Sequence, residues 1–360
     1  MKLKKSTHNI HDWCFVSGRV NALESSLFTC QFFEKLLDIN SFDDFFRQLL
    51  KSKLKDCFTT QDNIHDYERL IDAYFCGNVN EIKALSPDTK ICDFFLLKYK
   101  LQDLKNYLKH KLSGAPQGPV AFVLTSPDIE YLWKEMEEIP GTRIKAGFFP
   151  PEHGPDILEA LQNGLKSLKV VLNKDKDVLK NNIMFIIDLV MDNAYLCYIE
   201  KMCEYFSVEY AKTYLKMFIF INVIKSLLRA MSAGCNIELL KEHYLQGYLY
   251  NACFLDLINL PIKEWKEKLK KDLPAELVDC IISDKVEENI NDMARGEIQL
   301  DNYLLDIVKQ TKHIAFGPER VFGYLCGLDS EIYNLKLLIG GRINKIDSQL
   351  LRERMRNTYV

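Results

Sequence analysis

Apolar residues recur at intervals of three and four along almost the whole of this chain, and almost nowhere at intervals of two. Leu23, Leu27, Phe33, Leu36 and Leu37 set the pattern, and Phe45, Phe46, Leu49 and Leu50 continue it. That spacing puts apolar side chains on one face of a helix, whereas a half-buried strand alternates. Val120–Leu124 is the one short run with strand character. The fold is therefore expected to be all-α. A chain of 360 residues, 48% of them hydrophobic, is long enough to bury a large core.

Local signals divide the pattern. In Ser41-Phe-Asp-Asp44 the serine oxygen is placed to accept from orphan amides, and the acids suit a first turn. Ser207 is a second candidate cap, and Gly317-Pro318-Glu319 puts proline at a first helical position. Seven of the eleven prolines fall between Pro116 and Pro155, so long helices cannot cross that stretch. Residues 113–156 read as an irregular connection carrying a short helix, Tyr131–Glu138.

A charged fraction of 27% and a net charge of −3 give no electrostatic footprint for nucleic acid. Three early lysines precede no apolar stretch of signal-peptide length. The longest apolar runs, Met184–Met191 and Met217–Ile224, are broken by Asp188 and Asn222. Both fall well short of the ~20 residues of a spanning helix. No signal peptide and no transmembrane segment are expected. The eleven cysteines are irregularly spaced and form no Cys-x-x-Cys, which reads as reduced, buried thiols.

One pattern recurs three times. An acid and a tyrosine stand together at Asp72-Ala-Tyr74, Asp192-Asn-Ala-Tyr195 and Asp301-Asn-Tyr303. After each comes an apolar helix with an embedded lysine: Lys105, Lys225 and Lys336, at 31, 30 and 33 residues from the tyrosine. Phe254–Trp265, which follows the second lysine helix, echoes Leu36–Phe45; the third has no such piece behind it. The expected division is 1–60 as N-terminal helices closing the third unit, 61–180 as the first repeat, 181–290 as the second and 291–360 as the third.

The two ends of the chain resemble a known family. The N-terminal match is Gly18-Arg-Val-Asn-Ala-Leu-Glu24, then Leu27, Phe33, Leu36-Leu37 and Ser41-Phe42. The C-terminal match is Glu319-Arg-Val-Phe, Glu331, Asn334-Leu-Lys-Leu-Leu, Arg342 and the closing Leu351-Arg-Glu-Arg-Met-Arg-Asn-Thr-Tyr-Val360. These resemble the C subunit of bacterial and archaeal V-type ATPases, known as the d subunit in eukaryotic ones. The match is weakest over 110–175, and Gly340-Gly341 stands where the family pattern has a basic residue. The resemblance implies a funnel of three similar helical units around a pseudo-threefold axis. It implies a non-catalytic central-stalk protein, peripheral on the cytoplasmic face, that links the rotor shaft subunits to the cytoplasmic loops of the proteolipid ring. It would transmit torque for proton or sodium transport, with one copy per complex, and be monomeric when isolated.

On that resemblance, Arg19, Lys105, Lys225, Arg229, Lys336 and Arg342 are the candidate contacts with shaft or ring. The three lysines hold matching repeat positions and would form a basic ring toward an acidic shaft tip. The plainer reading is that each extends its ammonium to water. Arg19 reads as a funnel-lining charge or as a paired charge near Glu24. Lys109, Arg229 and Arg342 also suit helix C-termini, and the tail arginines suit salt pairs to neighbouring helices.

Chemistry-bearing motifs are missing. Gly340-Gly341 is followed by no Lys-Ser or Lys-Thr, and there is no Gly-x-Ser-x-Gly and no His-Glu-x-x-His. His8-x-x-His11-x-x-Cys14 has metal-like residue types without zinc spacing or a companion pair. No catalytic residue, metal, cofactor, small-molecule substrate or nucleic acid is expected. A free-standing helical scaffold is the competing reading, although repeats near 115 residues exceed the ~35–45 of stacked helical repeats. A helical enzyme would need titratable groups converging in one cavity.

Overall fold

The computed structural model describes residues 9–58, 66–113, 184–185, 187–189, 191–192, 195–196, 199–200, 203, 209–232, 256–282 and 290–360. The expected connection beyond Ser113 with its Tyr131–Glu138 helix and Val120–Leu124, the Ser207 cap, and His8 lie outside them. Regular structure among the described residues is entirely helical. The helices are α1 (Cys14–Glu24), α2 (Cys30–Asp38), α3 (Phe42–Leu50), α4 (Tyr67–Leu85), α5 (Lys90–Ser113), α6 (Glu209–Ser232), α7 (Trp265–Leu269), α8 (Ala275–Ile281), α9 (Ile290–Lys309), α10 (Pro318–Ile343) and α11 (Ser348–Arg354). Residues 184–185, 187–189, 191–192, 195–196 and 199–200, between α5 and α6, are also helical. No helix among the described residues is long and apolar enough to cross a membrane.

The start signals act as expected. Ser41 Oγ accepts from the Asp44 amide at 3.4 Å, and Thr29 Oγ1 does the same for α2 from Phe32. Asp347 accepts from Gln349 and Leu350 to open α11. Pro318 is the first residue of α10, behind Gly317, whose φ of 137° favours glycine.

The chain divides into two compact units. The described part of the first is drawn from 96–113, 184–203, 215–232 and 256–268. Its core is the apolar face of α6, with Leu215, Ile219, Phe220, Val223 and Leu227 all buried, together with Ile187, Met191 and Ile199.

The second unit, drawn from 9–58, 66–95, 209–214, 269–282 and 290–360, is organised around α10. Twenty of the 26 residues of α10 are buried, so it is enclosed by neighbours and has no solvent face. It packs against α1, α2, α4, α9 and α11. Phe322 meets Phe94, Phe95 and Tyr214 at ring separations of 5.9, 5.5 and 5.2 Å.

An enclosed helix cannot leave its charges in water, and the N-terminal helices supply the partners. Arg320 pairs with Glu24 and donates to Asn21 at 2.8 Å. Glu331, buried, lies 2.6 Å from Lys53 and accepts from the Phe28 amide at 2.5 Å. Burial raises the Glu331 pKa and lowers that of Lys53, each against the pull of the other. Arg342 donates to the Leu36 and Leu37 carbonyls and so caps α2, not its own helix. In the tail, Arg352 pairs with Glu34 and Arg356 with Asp301, the expected salt pairs to neighbouring helices.

Glycines set how close the neighbours come. A Cβ at Gly340 would stand 2.4 Å from the Tyr67 hydroxyl, and one at Gly341 2.4 Å from Leu351 Cδ2. That explains the departure from a basic residue here: α4 and α11 lie directly on the helix backbone. Gly327 gives the same access to the Tyr359 ring, whose Cγ would be 2.5 Å from an added Cβ. The thiol expectation holds in part. The described cysteines are all free, and Cys76, Cys92, Cys203 and Cys326 are buried, but Cys30 and Cys280 are exposed on polar helix faces.

Two outcomes follow for stability. Gly77→Ala, in open space on α4, should stabilise the protein by about 0.5–1 kcal/mol through lost unfolded-state entropy. Gly327→Ala should destabilise it by about 1–3 kcal/mol, because the added methyl displaces the Tyr359 ring from its packed position. Denaturant midpoints of the two variants compared with the parent check both signs. Separately, Glu331→Ala should cost about 3–5 kcal/mol by stranding Lys53, and adding Lys53→Met should recover much of that loss. A double-mutant cycle in urea measures it.

Candidate functional site

Residues of α5 four and three apart along Lys98, Leu101, Gln102 and Lys105 lie on one face. Phe218, Asn222, Lys225, Ser226 and Arg229 lie on one face of α6 by the same spacing. With Asp192, Tyr195 and Leu196 of the 184–200 helical residues, these faces enclose a cleft of about 160 Å³ in the first compact unit. Its lining carries four cations, Lys98, Lys105, Lys225 and Arg229, and one carboxylate, Asp192. Lys98 and Arg229 are exposed, while Lys105 and Lys225 are each only 8% exposed.

The wall of the cleft is held by two ion pairs in register. Lys105 pairs with Asp192, and Lys109 with Asp188 at 2.6 Å. Both the lysines and the acids are four apart, so each pair of like residues stacks on one helix face. The order reverses between the helices, which means they run antiparallel. Asp188 also lies 4.0 Å from Lys105. Lys109 thus serves an acid on a neighbouring helix and does more than complement the dipole of its own.

The six sequence candidates separate. Lys105, Lys225 and Arg229 come together in this cleft. Arg19, Lys336 and Arg342 belong to the second compact unit, each with partners of its own. Arg19 pairs with Glu81 of α4 at 2.7 Å, and the nearer Glu24 is taken by Arg320. Lys336 pairs with Asp72 at 2.5 Å. Arg342 caps α2.

Sequence reasoning missed two features. Lys98 extends the cationic lining one face-repeat before Lys105, a spacing of seven that was open to inspection. The second is the partner of each repeat lysine. Lys105, of the first repeat, takes Asp192, the motif acid of the second. Lys336, of the third, takes Asp72, the motif acid of the first. Two of the three motif acids thus each pair with a motif lysine distant in the chain, which no local spacing reveals. Asp301, the third motif acid, holds Arg356.

The charged groups lining the cleft are mainly cations, and no helix among the described residues is long and apolar enough to span a membrane. The ATP synthase (C/AC39) subunit family model matches residues 16–354. The chain belongs to that family, which comprises the C and d subunits of the V-type ATPases. It is similar to the C subunit of the V-type sodium ATPase of Enterococcus hirae, at 21% identity over 350 residues, covering 94% of this chain and 97% of that protein.

Removing Asp192 should cost more than removing Asp188. The Lys105 side chain is only 10% exposed, and without Asp192 it keeps just the carboxylate 4.0 Å away, so Asp192→Asn should cost about 1–3 kcal/mol. Asp188→Asn should cost less than about 1 kcal/mol, because Lys109 reaches water. Urea unfolding of the two variants gives the comparison.

Proposed function

We propose that this chain is the non-catalytic central-stalk coupling component of a V-type rotary ATPase or ATP synthase. In this reading it joins the rotor shaft to the membrane proteolipid ring and transmits torque for proton or sodium transport. The observation that carries the reading is the family match running from residue 16 to residue 354, through both ends of the chain. The relative in Enterococcus hirae is named as part of a sodium ATPase, which makes sodium one of the two ions to test. The ion itself is selected by the ring.

The basic cleft supplies a physical means of docking. Four cations around one carboxylate attract an acidic shaft end, and a concave wall focuses that field. Lys105, Lys225 and Arg229, with Lys98, are the proposed shaft contacts. Arg19, Lys336 and Arg342 are proposed to act at a shaft or ring face of the third repeat. The three repeats would stand about a pseudo-threefold axis as a funnel, with 1–60 completing the third. The joints Lys105–Asp192 and Lys336–Asp72 favour that arrangement, since a closed ring requires the last repeat to meet the first. Close-packed helices give the stiffness that torque requires. The protein would sit on the cytoplasmic face as one copy per complex.

Co-expression with the rotor shaft subunits of the same complex, followed by size-exclusion chromatography at low and high salt, tests this. Co-elution that weakens as salt rises is the expected result. Lys98→Glu with Arg229→Glu, both exposed, should weaken binding by about tenfold or more and flatten the salt dependence. Salt-indifferent co-elution would discard the basic cleft as the contact. No association with either shaft or solubilised ring would sink the coupling role.

A further inference from the structure

After α11 ends at Arg354 the chain runs on without regular structure to Val360. An extended segment still has to satisfy its backbone amides and carbonyls when it is covered. Here side chains from two helices do so. Asn334 of α10 donates to the Arg356 carbonyl and accepts from the Arg356 amide, both at 2.9 Å. Asn302 of α9 accepts from the Asn357 amide at 2.7 Å, and Ser330 donates to the Asn357 carbonyl at 3.1 Å. Four backbone groups of two consecutive residues are thus read by three side chains. Those side chains are 0, 8 and 6% exposed, in the order Asn334, Asn302, Ser330. A buried asparagine is costly unless its amide is used, so these positions are built around a peptide backbone.

On either side of the backbone contacts lies a side-chain anchor. The Arg356 guanidinium sits 3.7 Å from the Tyr333 ring centre and 2.8 Å from Asp301. Three residues on, the Tyr359 ring enters the notch left by Gly323 and Gly327, and its hydroxyl lies 3.4 Å from Thr311. Asn357 and Val360 point to water. One charged anchor, one aromatic anchor and a backbone reader between them form a recognition site, with exposed positions left unread.

We propose that α9 and α10 form a peptide-recognition groove for an extended Arg-x-x-Tyr segment, filled here by this chain's own residues 355–360 acting as a detachable strap. The inference does not depend on the coupling role. Its occupant is held by polar contacts and one ring, not by a continuous apolar face, so it can leave without unfolding the helices beneath. Asp301 belongs to the motif whose other two acids each take a lysine from another repeat. In this repeat the acid is used to hold the strap.

The test uses the full chain carrying Arg356→Ala and Tyr359→Ala, which weakens the strap's own hold. Fluorescein-labelled Met-Arg-Asn-Thr-Tyr-Val should bind this variant in anisotropy titrations and should not bind the unsubstituted chain, whose groove is filled. Adding Asp301→Ala or Asn334→Ala to the variant should weaken peptide binding by about tenfold or more. No binding to a variant with unchanged circular dichroism would overturn the proposal, as would binding indifferent to Asp301→Ala. If the variant loses helical signal, hydrogen exchange on the unsubstituted chain decides. The Arg356 and Asn357 amides should then exchange well ahead of those in the middle of α10. Exchange of both only together with α10 would show the segment to be core and would end the proposal.

Discussion

A helix enclosed on every side must find a partner for each charge it carries. α10 carries Glu319, Arg320 and Glu331 among its buried residues, and much of the second compact unit follows from that requirement. Glu24 and Asn21 must face Arg320, which sets the angle of α1. Lys53 and the amide of Phe28 must reach Glu331, which draws the start of α2 and the turn after α3 to the same place. Breaking any of these contacts leaves a charge in a medium that penalises it, so the contacts select one packing over others. The residues concerned are about 300 apart in the chain, and the N-terminal helices are therefore structural partners of the C-terminal one.

Glycine provides the complementary constraint. Where α10 lacks a Cβ, at Gly323, Gly327, Gly340 and Gly341, a neighbour reaches the backbone. Charge fixes which elements meet, and missing side chains fix how closely. In the second unit the combination sets the helix packing, and no strand occurs among the described residues. It also explains how polar groups such as Asn334 are held deep in a helix bundle: their partner is the backbone of a segment lying in a glycine-made notch. The first unit uses the same principle more openly. There the acid and lysine pairs form a wall, and Lys98, Lys225 and Arg229 line the recess beside it.

Helix periodicity, the Ser41 cap and the Pro318 start were legible because each rests on neighbours within a few residues. The threefold motif was legible as a pattern, and so were the basic residues embedded in it. Their partners were not. Lys336 gives no local sign that Asp72 is its counter-ion, since the two are brought together only when α10 packs on α4. Arg19 illustrates the same point: Glu24 is near in sequence, yet Glu81 is its partner, because α4 lies against α1 and Glu24 is needed by Arg320. Gly340-Gly341 looked like a lost basic site and is a packing surface for Tyr67 and Leu351.

By itself, the sequence determined the helical class, the positions of several helix starts and the family, because periodicity, capping chemistry and motif order are properties of the chain read in one dimension. Only the tertiary structure decided which charges neutralise each other, which lysines share a cleft and where the closing segment lies. Those outcomes depend on distances between residues far apart in sequence and on burial, which turns a weak surface charge pair into a strong constraint.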